Sequence, residues 1–239
     1  MIKNILPGLA DLIFPRNCTL CRSYHPRTAE DPLCPECFAK LPFNRPPFCL
    51  KCSRRLESYS DEGLCPDCRR HPPAFDYAWA ATVYADPLSS LIPHYKFHNK
   101  TALRTTFGKI IREFLVRYDI RLSPDVIVPV PLHPARLRER GYNQAALIAE
   151  RLAPVLGAPV AQSGLERARH TPRQSELGQK ERFTNVIGAF RITTPSRFMD
   201  KHVILVDDLL TTGSTASEAA KVLKAAGAAK VGVLTLAIA

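Results

Sequence analysis

The sequence contains no long hydrophobic run, because nowhere do 18 apolar residues follow one another. A helix needs about 20 such residues to cross a membrane, so we expect no membrane span. The opening segment MIKNILPGLADLIFPRN also lacks the small-residue cleavage site of a secretory signal, and Pro7 and Asp11 interrupt its apolar residues. We therefore expect a short amphipathic helix there and a protein that stays in the cytoplasm.

No cysteine lies outside a duplicated pattern, C-x2-C-x12-C-x2-C, whose two copies are offset by 31 residues. The same offset carries Pro15 to Pro46 and LCPEC to LCPDC, which identifies an internal repeat. Disulfides are rare in cytoplasmic proteins, so cysteine pairs at this spacing favour metal ligands. The first set is Cys18, Cys21, Cys34 and Cys37, and the second is Cys49, Cys52, Cys65 and Cys68.

Four thiolates close a tetrahedral zinc site and leave no position for a substrate. The two sets therefore predict a double zinc ribbon that binds two structural zinc ions. Spacing alone leaves three alternatives open: disulfides, one zinc ion with the other cysteines free, and a cross-braced arrangement in which each ion takes cysteines from both sets. Sequential pairing, with one ion for each set, is the interpretation that we prefer.

Positive charge is in excess, with 33 Lys and Arg against 22 Asp and Glu and a formal net charge of +11. Eight thiolates around two zinc ions would reduce that charge to about +7. Residues 91–121 contain seven basic residues against two acidic ones, and residues 134–200 contain eleven against six. Such a field favours polyanionic partners, and a solvated basic surface is the alternative.

From Tyr77 onward, apolar runs of strand length alternate with segments of helical periodicity. This order predicts an α/β fold over residues 76–239, with a parallel sheet and helices on both faces, preceded by the N-terminal helix and double zinc ribbon over residues 1–75. We expect His94, Lys96 and His98 in an exposed loop. The predicted elements are an edge strand at about Tyr77–Tyr84, a helix at about Thr101–Tyr118, a strand at DVIVPV, a helix from about Tyr142, strands within APVAQSGLERAR and NVIGAFRIT, a strand at HVILV, a helix at Ser214–Ala226 and a strand at VGVLTLAIA.

The stretch VILVDDLLTTGST combines a buried strand, two aspartates and a hydroxyl-rich turn before a helix. Ligands of parallel sheets bind beyond the carboxyl ends of the strands, where Asp207 and Asp208 fall. The turn offers backbone N–H groups and the positive end of a helix dipole, which suit a phosphate. The carboxylates would repel that phosphate, so their partners are neutral donors such as ribose hydroxyls. The turn residues are Thr211, Thr212, Gly213, Ser214 and Thr215.

VILVDDLLTTGST resembles the signature of type I phosphoribosyltransferases, which bind 5-phosphoribosyl 1-pyrophosphate (PRPP) together with Mg²⁺. The resemblance implies that the acidic pair holds the ribose hydroxyls, that the turn holds the 5′-phosphate, and that PVPLHPARLRERGYN is the pyrophosphate loop. Arg136, Arg140 and Asn143 are our candidates in that loop. RARHTPRQSELGQKERFTNV has the position of the mobile catalytic loop. We expect Asp207, Asp208 and Arg169 to be catalytic residues, and the further loop candidates are Thr171, Gln174, Arg182 and Asn185.

The cysteine pairs, together with HPARLRERGYNQ, RHTPRQSELGQKERFTNV and VDDLLTTGST, are similar to the ComF family, which includes ComFC- and GntX-like proteins. This resemblance implies a PRPP-binding protein of natural competence whose partners are single-stranded DNA and a protein of the competence machinery such as a helicase. The alternative is an active phosphoribosyltransferase that acts on an unidentified acceptor in nucleotide salvage. Because the chain ends soon after Gly227, we expect residues 76–100 or the zinc module to form any acceptor surface.

Overall fold

The computed structural model describes residues 17–24, 31–58, 63–97, 100–170 and 186–239. The predicted N-terminal amphipathic helix and His98 lie outside these residues. The α-helices and strands are, in chain order, α1 (Pro35–Ala39), α2 (Pro66–Arg70), β1 (Tyr77–Val83), α3 (Leu88–Phe97), α4 (Leu103–Arg117), β2 (Val126–Pro129), α5 (Pro134–Arg140), α6 (Gln144–Leu156), β3 (Leu165–Arg167), β4 (Phe190–Ile192), β5 (His202–Leu210), α7 (Ser214–Ala225) and β6 (Lys230–Ile238). A short 3-10 helix, Pro195–Arg197, follows β4.

A parallel sheet forms the centre of the molecule, with the strand order β1, β6, β5, β2. β5 and β6 lie in the middle, and their continuous apolar runs are buried on both faces, as a parallel strand requires. β1 is an edge strand, as predicted. At the other edge, Val160 adds a single parallel bridge to Ile127. Because all four strands run in the same direction, their carboxyl ends meet at one edge of the sheet.

Alternate residues of the central strands face opposite layers of helices. Ile204 and Val206 join the apolar cluster that contains the buried face of α4 and α6, including Phe107 and Ile148. Val203 and Leu205 join a second cluster with the small residues of α7, among them Ala219 and Ala220. Burying each large apolar side chain contributes about 1.5–3 kcal/mol. The predicted α/β fold with helices on both faces is confirmed.

The strands predicted on either side of the polar excursion are β3 and β4. They pair with each other, antiparallel, and form a separate two-stranded sheet beside the main one. This small sheet brings Arg167 next to the carboxyl end of the main sheet, where it lines a cleft.

The two cysteine repeats fold alike in the described residues. In the first, the Cys18 carbonyl accepts from Arg22 N–H at 2.9 Å, and in the second the Cys49 carbonyl accepts from Ser53 N–H at 2.9 Å. Both of these donor residues have positive φ, 61° and 64°. Short helices, α1 and α2, then begin directly after the third cysteine of each set. The sequence repeat is therefore also a structural repeat.

The prediction of a loop around His94 and Lys96 is wrong. Both residues lie on α3, whose buried residues Leu88, Leu91, Ile92 and Tyr95 recur at helical spacing. Pro93 is inside this helix and obscured its pattern in the sequence. A helix, α5, likewise begins at Pro134 within the segment that was predicted to be a loop. Among the described residues, no helix combines the length and apolar character that a membrane span requires.

Candidate functional site

Each cysteine set forms its own group of four sulfurs. Within each group, the Sγ atoms all lie within 4.8 Å of one another. The Cys21–Cys34 and Cys52–Cys65 sulfur separations are both 3.7 Å. A zinc ion with sulfur ligands at ~2.3 Å needs tetrahedron edges of about 3.8 Å, so the geometry fits zinc. Sequential pairing is confirmed, and all eight cysteines are free of disulfides.

The cysteine groups are closed structural sites. Four sulfurs fill the four positions of a tetrahedral ion, so no position remains for a substrate. Backbone N–H groups approach the buried sulfurs, from Cys34 to the Cys18 Sγ at 3.5 Å and from Cys65 to the Cys49 Sγ at 3.3 Å. The two four-cysteine groups therefore fit structural zinc, and the candidate site for a ligand lies elsewhere.

A cleft of about 390 Å³ opens at the carboxyl ends of β2 and β5. We call it the Asp207 cleft. Its lining brings together residues that the sequence predicted from two separate motifs. These residues are Arg136, Arg140, Asp207, Asp208, Thr211 and Thr215.

The two aspartates at the end of β5 have different surroundings. The Asp208 side chain is buried, and its Oδ2 atom lies 2.5 Å from the ammonium of Lys96 on α3. Its Oδ1 atom accepts from the Gln144 amide at 3.5 Å. The Asp207 carboxylate is half-buried and accepts from the Asp208 backbone N–H at 2.9 Å. Only Asp208 therefore has a cation as a direct partner in the described contacts.

These surroundings move the two pKa values in opposite directions. Burial, together with the neighbouring charge of Asp208, raises the pKa of Asp207 to about 8. Burial also acts to raise the pKa of Asp208, but the Lys96 ammonium outweighs it and holds that pKa below the usual range. The pair therefore tends to carry one negative charge near neutral pH, and Lys96 balances it.

The turn after β5 has the backbone that the sequence predicted. Gly213 adopts φ 75°, which favours glycine, and α7 begins at the next residue. The hydroxyls of Thr212 and Ser214 lie 2.5 Å apart, and Ser214 N–H donates to Thr212 Oγ1 at 3.4 Å. Thr212, Gly213 and Ser214 line a second cavity of about 510 Å³ next to the second cysteine group, and Thr211 borders both spaces.

The predicted pyrophosphate loop contributes its arginines to the cleft but not its asparagine. The Arg140 guanidinium donates to the Gln144 amide oxygen at 2.5 Å and lies 5.4 Å from the ring centroid of Phe97. Asn143 caps α6 by accepting from Ala145 N–H at 2.9 Å, and its amide donates to the Val130 carbonyl at 3.1 Å. Asn143 therefore closes the loop between β2 and α6 and lies outside the lining of the Asp207 cleft.

Arg169, the predicted catalytic arginine, also lies outside the lining of the cleft. Its guanidinium donates to the Ile187 carbonyl at 2.6 Å. The other candidates of the predicted mobile loop, Thr171, Gln174, Arg182 and Asn185, lie outside the described residues.

Sequence reasoning missed part of the lining. The loop prediction hid Lys96, although the helical spacing of the apolar residues around it was a usable signal. Arg167 is the first residue of the segment predicted to be the mobile loop, but it was not named as a candidate, because its place at the cleft depends on the pairing of β3 with β4. Burial, with Arg136 nearby, lowers the pKa of the Arg167 guanidinium. The polar and aromatic lining residues that were not named as candidates are Tyr84, Lys96, Phe97, Gln144 and Arg167.

Comparison with known protein families matches both parts of the chain. The double zinc ribbon domain family matches residues 9–70. The phosphoribosyl transferase domain family matches residues 104–238, which is more than half of the chain. Among solved structures, glutamine PRPP amidotransferase from B. subtilis is 22% identical and covers 56% of this chain and 26% of its own, with a TM-score of 0.38. A TM-score this low adds nothing to the assignment.

Curated relatives match most of the chain. Competence protein F of Haemophilus influenzae is 32% identical over 225 residues, which covers 92% of this chain and 96% of that protein. DNA utilization protein YhgH of Escherichia coli K12 is 33% identical over 85% of this chain and 96% of its own length. Competence protein ComFC of Streptococcus pneumoniae is 30% identical over 66% of each chain. The chain therefore belongs to the ComF family, in which a double zinc ribbon precedes a phosphoribosyl transferase domain.

Proposed function

We propose that this protein binds PRPP in the Asp207 cleft and acts in the cytoplasm in the handling of incoming DNA during natural competence. One observation carries the PRPP assignment: two carboxylates, two arginines, and Thr211 and Thr215 at the start of α7 lie around one cleft. A phosphorylated ribose with a pyrophosphate group offers a partner to each of them. The carboxylates accept from hydroxyls, the turn donates to the 5′-phosphate, and the arginines donate to pyrophosphate oxygens.

The residues divide this work by charge and position. Asp207 and Asp208 are proposed to hold the ribose hydroxyls, since a carboxylate accepts hydrogen bonds and repels phosphate. Thr211 and Thr215 line the cleft at the start of α7, where backbone N–H groups and the helix dipole favour an anion. Arg136 and Arg140 lie on α5, which follows β2, and line the same cleft; they are proposed to bind the pyrophosphate.

Mg²⁺ is proposed to accompany PRPP and to neutralise its pyrophosphate. Mg²⁺ prefers oxygen ligands, and the oxygens of PRPP itself would hold it beside the carboxylates of the cleft. The protein's own contribution is to orient the sugar, and it does so from the ends of two rigid elements, β5 and α7.

The competence role is supported by the names of the relatives, which include competence protein F, competence protein ComFC and a DNA utilization protein. The proposed partners are single-stranded DNA and a protein of the competence machinery such as a helicase. The net charge of +11 supports a polyanionic partner, because basic side chains release counterions when they neutralise phosphates.

The PRPP assignment is tested by isothermal titration calorimetry with PRPP and Mg²⁺. We expect the wild type to bind, and the double variant Asp207→Ala, Asp208→Ala to lose at least about 100-fold in affinity, because both acceptors of the ribose hydroxyls are gone. The matched control is Glu113→Ala with Asp119→Asn, which removes two acids that form ion pairs at the surface and keeps a residue suited to the positive φ of position 119. Unchanged affinity in the Asp207 and Asp208 variant would rule out the ribose assignment.

Binding to single-stranded DNA is tested by its response to salt. We expect the affinity for an oligonucleotide to fall steeply between about 50 and 200 mM NaCl, in proportion to the number of phosphates neutralised. Fluorescence anisotropy at several salt concentrations measures the slope. A flat response, or no binding at the lowest concentration, would contradict the proposed DNA partner.

A further inference from the structure

A lysine from a distant part of the chain holds one of the two cleft carboxylates. Lys96 lies in the last turn of α3, and its ammonium reaches Asp208 Oδ2 at 2.5 Å. The Lys96 side chain is 20% exposed and that of Asp208 only 4% exposed. Lys96 also lines the Asp207 cleft. The ion pair is therefore part of the wall that a ligand would meet.

Neighbouring contacts fix α3 in this position. The Tyr95 hydroxyl, next to Lys96, donates to the Gln144 carbonyl at 3.0 Å, and the Tyr142 hydroxyl donates to the Tyr95 carbonyl. The Tyr95 ring packs edge-on against Phe107 of α4, with centroids 4.9 Å apart. Lys96 therefore lies on a helix that hydrogen bonds and ring packing hold beside the cleft, and not on a loop.

The buried oxygen of Asp208 explains why a cation is needed there. Asp208 Oδ2 has almost no solvent contact of its own, so water cannot stabilise its charge. An unpaired buried carboxylate is costly and takes up a proton instead. Asp207 lies next to it in the chain and adds a like charge. Without Lys96, Asp208 would also take up a proton, or its uncompensated charge would repel an incoming anion.

We propose that Lys96 is a positioning residue of the PRPP site, which acts through Asp208 by keeping that carboxylate ionised and oriented to accept a ribose hydroxyl. This inference rests on the proposed function. Lys96 also offsets one negative charge on the floor of a cleft that has to admit a pyrophosphate.

The other charged groups around the pair come from several elements. Asp207 adjoins Asp208 on β5, Tyr95 faces it from α3, and the neutral amide of Gln144 faces it from α6. Arg136 and Arg140 line the same cleft from α5, and Arg167 lines it from β3. These groups are unchanged in a Lys96 variant, so a shifted pH profile reports on Lys96.

The test compares the wild type with Lys96→Met, Lys96→Arg and Lys96→Gln by calorimetry with PRPP and Mg²⁺ from about pH 6 to about pH 9. At about pH 7 we expect Lys96→Met and Lys96→Gln to bind PRPP about tenfold more weakly or worse, and Lys96→Arg to stay within about threefold of the wild type, because it keeps the charge. The neutral variants should also lose about tenfold more affinity than the wild type as the pH falls, because Asp208 then becomes protonated within that range.

Lys221→Met is the matched control, since it removes an exposed lysine of α7 outside the cleft lining. It should match the wild type at every pH. If Lys96→Met fails to fold, the test uses Lys96→Gln instead. A ¹³C NMR titration of the Asp208 carboxyl group, in the wild type and in Lys96→Gln, then measures whether loss of the ammonium raises the pKa of Asp208.

The outcomes separate the two proposals. A wild type that binds PRPP while the neutral Lys96 variants keep its affinity and pH profile would overturn the role of Lys96 alone. Equal losses in Lys96→Arg and Lys96→Met, with no shift of the pH profile, would show a merely structural role and overturn it too. A wild type that does not bind PRPP would overturn the proposed function and this inference together.

Discussion

Asp207 and Asp208 are adjacent in the chain, yet their surroundings in the fold shift their pKa values in opposite directions. The Lys96 ammonium lowers the pKa of Asp208, whereas burial and the charge of Asp208 raise the pKa of Asp207 to about 8. Alternation along β5 causes this difference, because successive side chains of a strand point to opposite faces of the sheet. Two identical residues thereby acquire different charge states in one cleft.

The raised pKa of Asp207 gives a pH dependence of stability whose sign is fixed. Since the folded state holds this proton more tightly than the unfolded state, the stability that Asp207 contributes is full below about pH 4 and is lost as the pH rises through about 8. Asp207→Asn mimics the protonated acid and lacks this loss. We compare the free energy of unfolding of this variant with that of the wild type at each pH. Between about pH 5 and about pH 8, we expect the difference to grow by about 2 kcal/mol in favour of the variant. This is less than the full ~1.4 kcal/mol per pKa unit, because the site is partly solvated.

Urea unfolding at the two pH values measures this gain in the free energy of unfolding. Asp119→Asn, at an exposed aspartate, serves as the control and should show no such difference between the two values. If Asp207→Asn differs from the wild type by the same amount at both pH values, the proton is not held as described.

At the residue scale, the sequence predicts those site residues that lie next to one another in the chain. Asp207, Asp208 and the turn that follows form one short segment, and local chemistry was enough to identify them. Arg140 was also predicted, because its segment resembles the pyrophosphate loop of type I phosphoribosyltransferases. Lys96 could not be placed in this way, since its contact with Asp208 depends on how α3 packs against α4 and α6.

At the scale of elements, β1, β6 and β5 are joined by a side chain that crosses the central strand. The Tyr77 ring on β1 lies over Gly232 of β6, and its hydroxyl hydrogen-bonds to His202 Nε2 on β5 at 2.8 Å. A Cβ at Gly232 would lie 2.4 Å from the Tyr77 ring and 2.8 Å from Ile204. Glycine is therefore needed here for close packing.

We expect Gly232→Ala to destabilise the protein by about 2 kcal/mol or more, because the Tyr77 ring and the end of the Ile204 side chain both have to shift. Tyr77→Phe is the matched comparison, since it keeps the ring and removes only the hydrogen bond, and it should cost about 1 kcal/mol. Chemical denaturation measures both. A Gly232→Ala variant as stable as the wild type would contradict this account of the sheet.

The elements of the sheet were predictable because their apolar runs are continuous. β5 and β6 were predicted from HVILV and VGVLTLAIA, and α4 and α6 from helical periodicity. Prediction failed at α3 and α5, which contain or begin with proline, so that short apolar patterns around them looked like loops. The pairing of β3 with β4 depends on contacts between distant segments and has no local signal.

At the scale of the whole molecule, the first cysteine repeat shares a core with the sheet. Leu33, Cys34 and Phe38 belong to the same apolar cluster as Ile204 and Leu234. Segment 42–44 also covers the edge of β1, where Asn44 N–H donates to the Ala81 carbonyl at 3.0 Å. We propose that residues 1–75 and 76–239, although distinct in sequence, unfold as one unit.

Loss of the first zinc site should therefore destabilise the entire chain. We expect Cys34→Ser to lower the thermal midpoint by about 10 °C and to lower it more than Cys65→Ser, because Cys65 lies in a small separate cluster of the second repeat. Trp79 is the only tryptophan of the sequence, and its ring packs against Phe48 of the cysteine-rich region and Phe114 of α4. Its fluorescence therefore reports on the contact between that region and the sheet domain.

Circular dichroism and Trp79 fluorescence should follow one transition in each variant, and elemental analysis should find about two zinc ions in the wild type and about one in each variant. A Trp79 transition that is unaffected by Cys34→Ser would mean that the first cysteine repeat unfolds independently of the sheet.

A crystal structure of the wild type grown with PRPP and Mg²⁺ is the most direct test of the proposed ligand site. We predict ribose hydroxyls at Asp207 and Asp208, the 5′-phosphate at the turn of residues 211–215, and pyrophosphate oxygens facing Arg136 and Arg140. A cleft that stays empty at saturating PRPP, or density for PRPP elsewhere on the molecule, would contradict it.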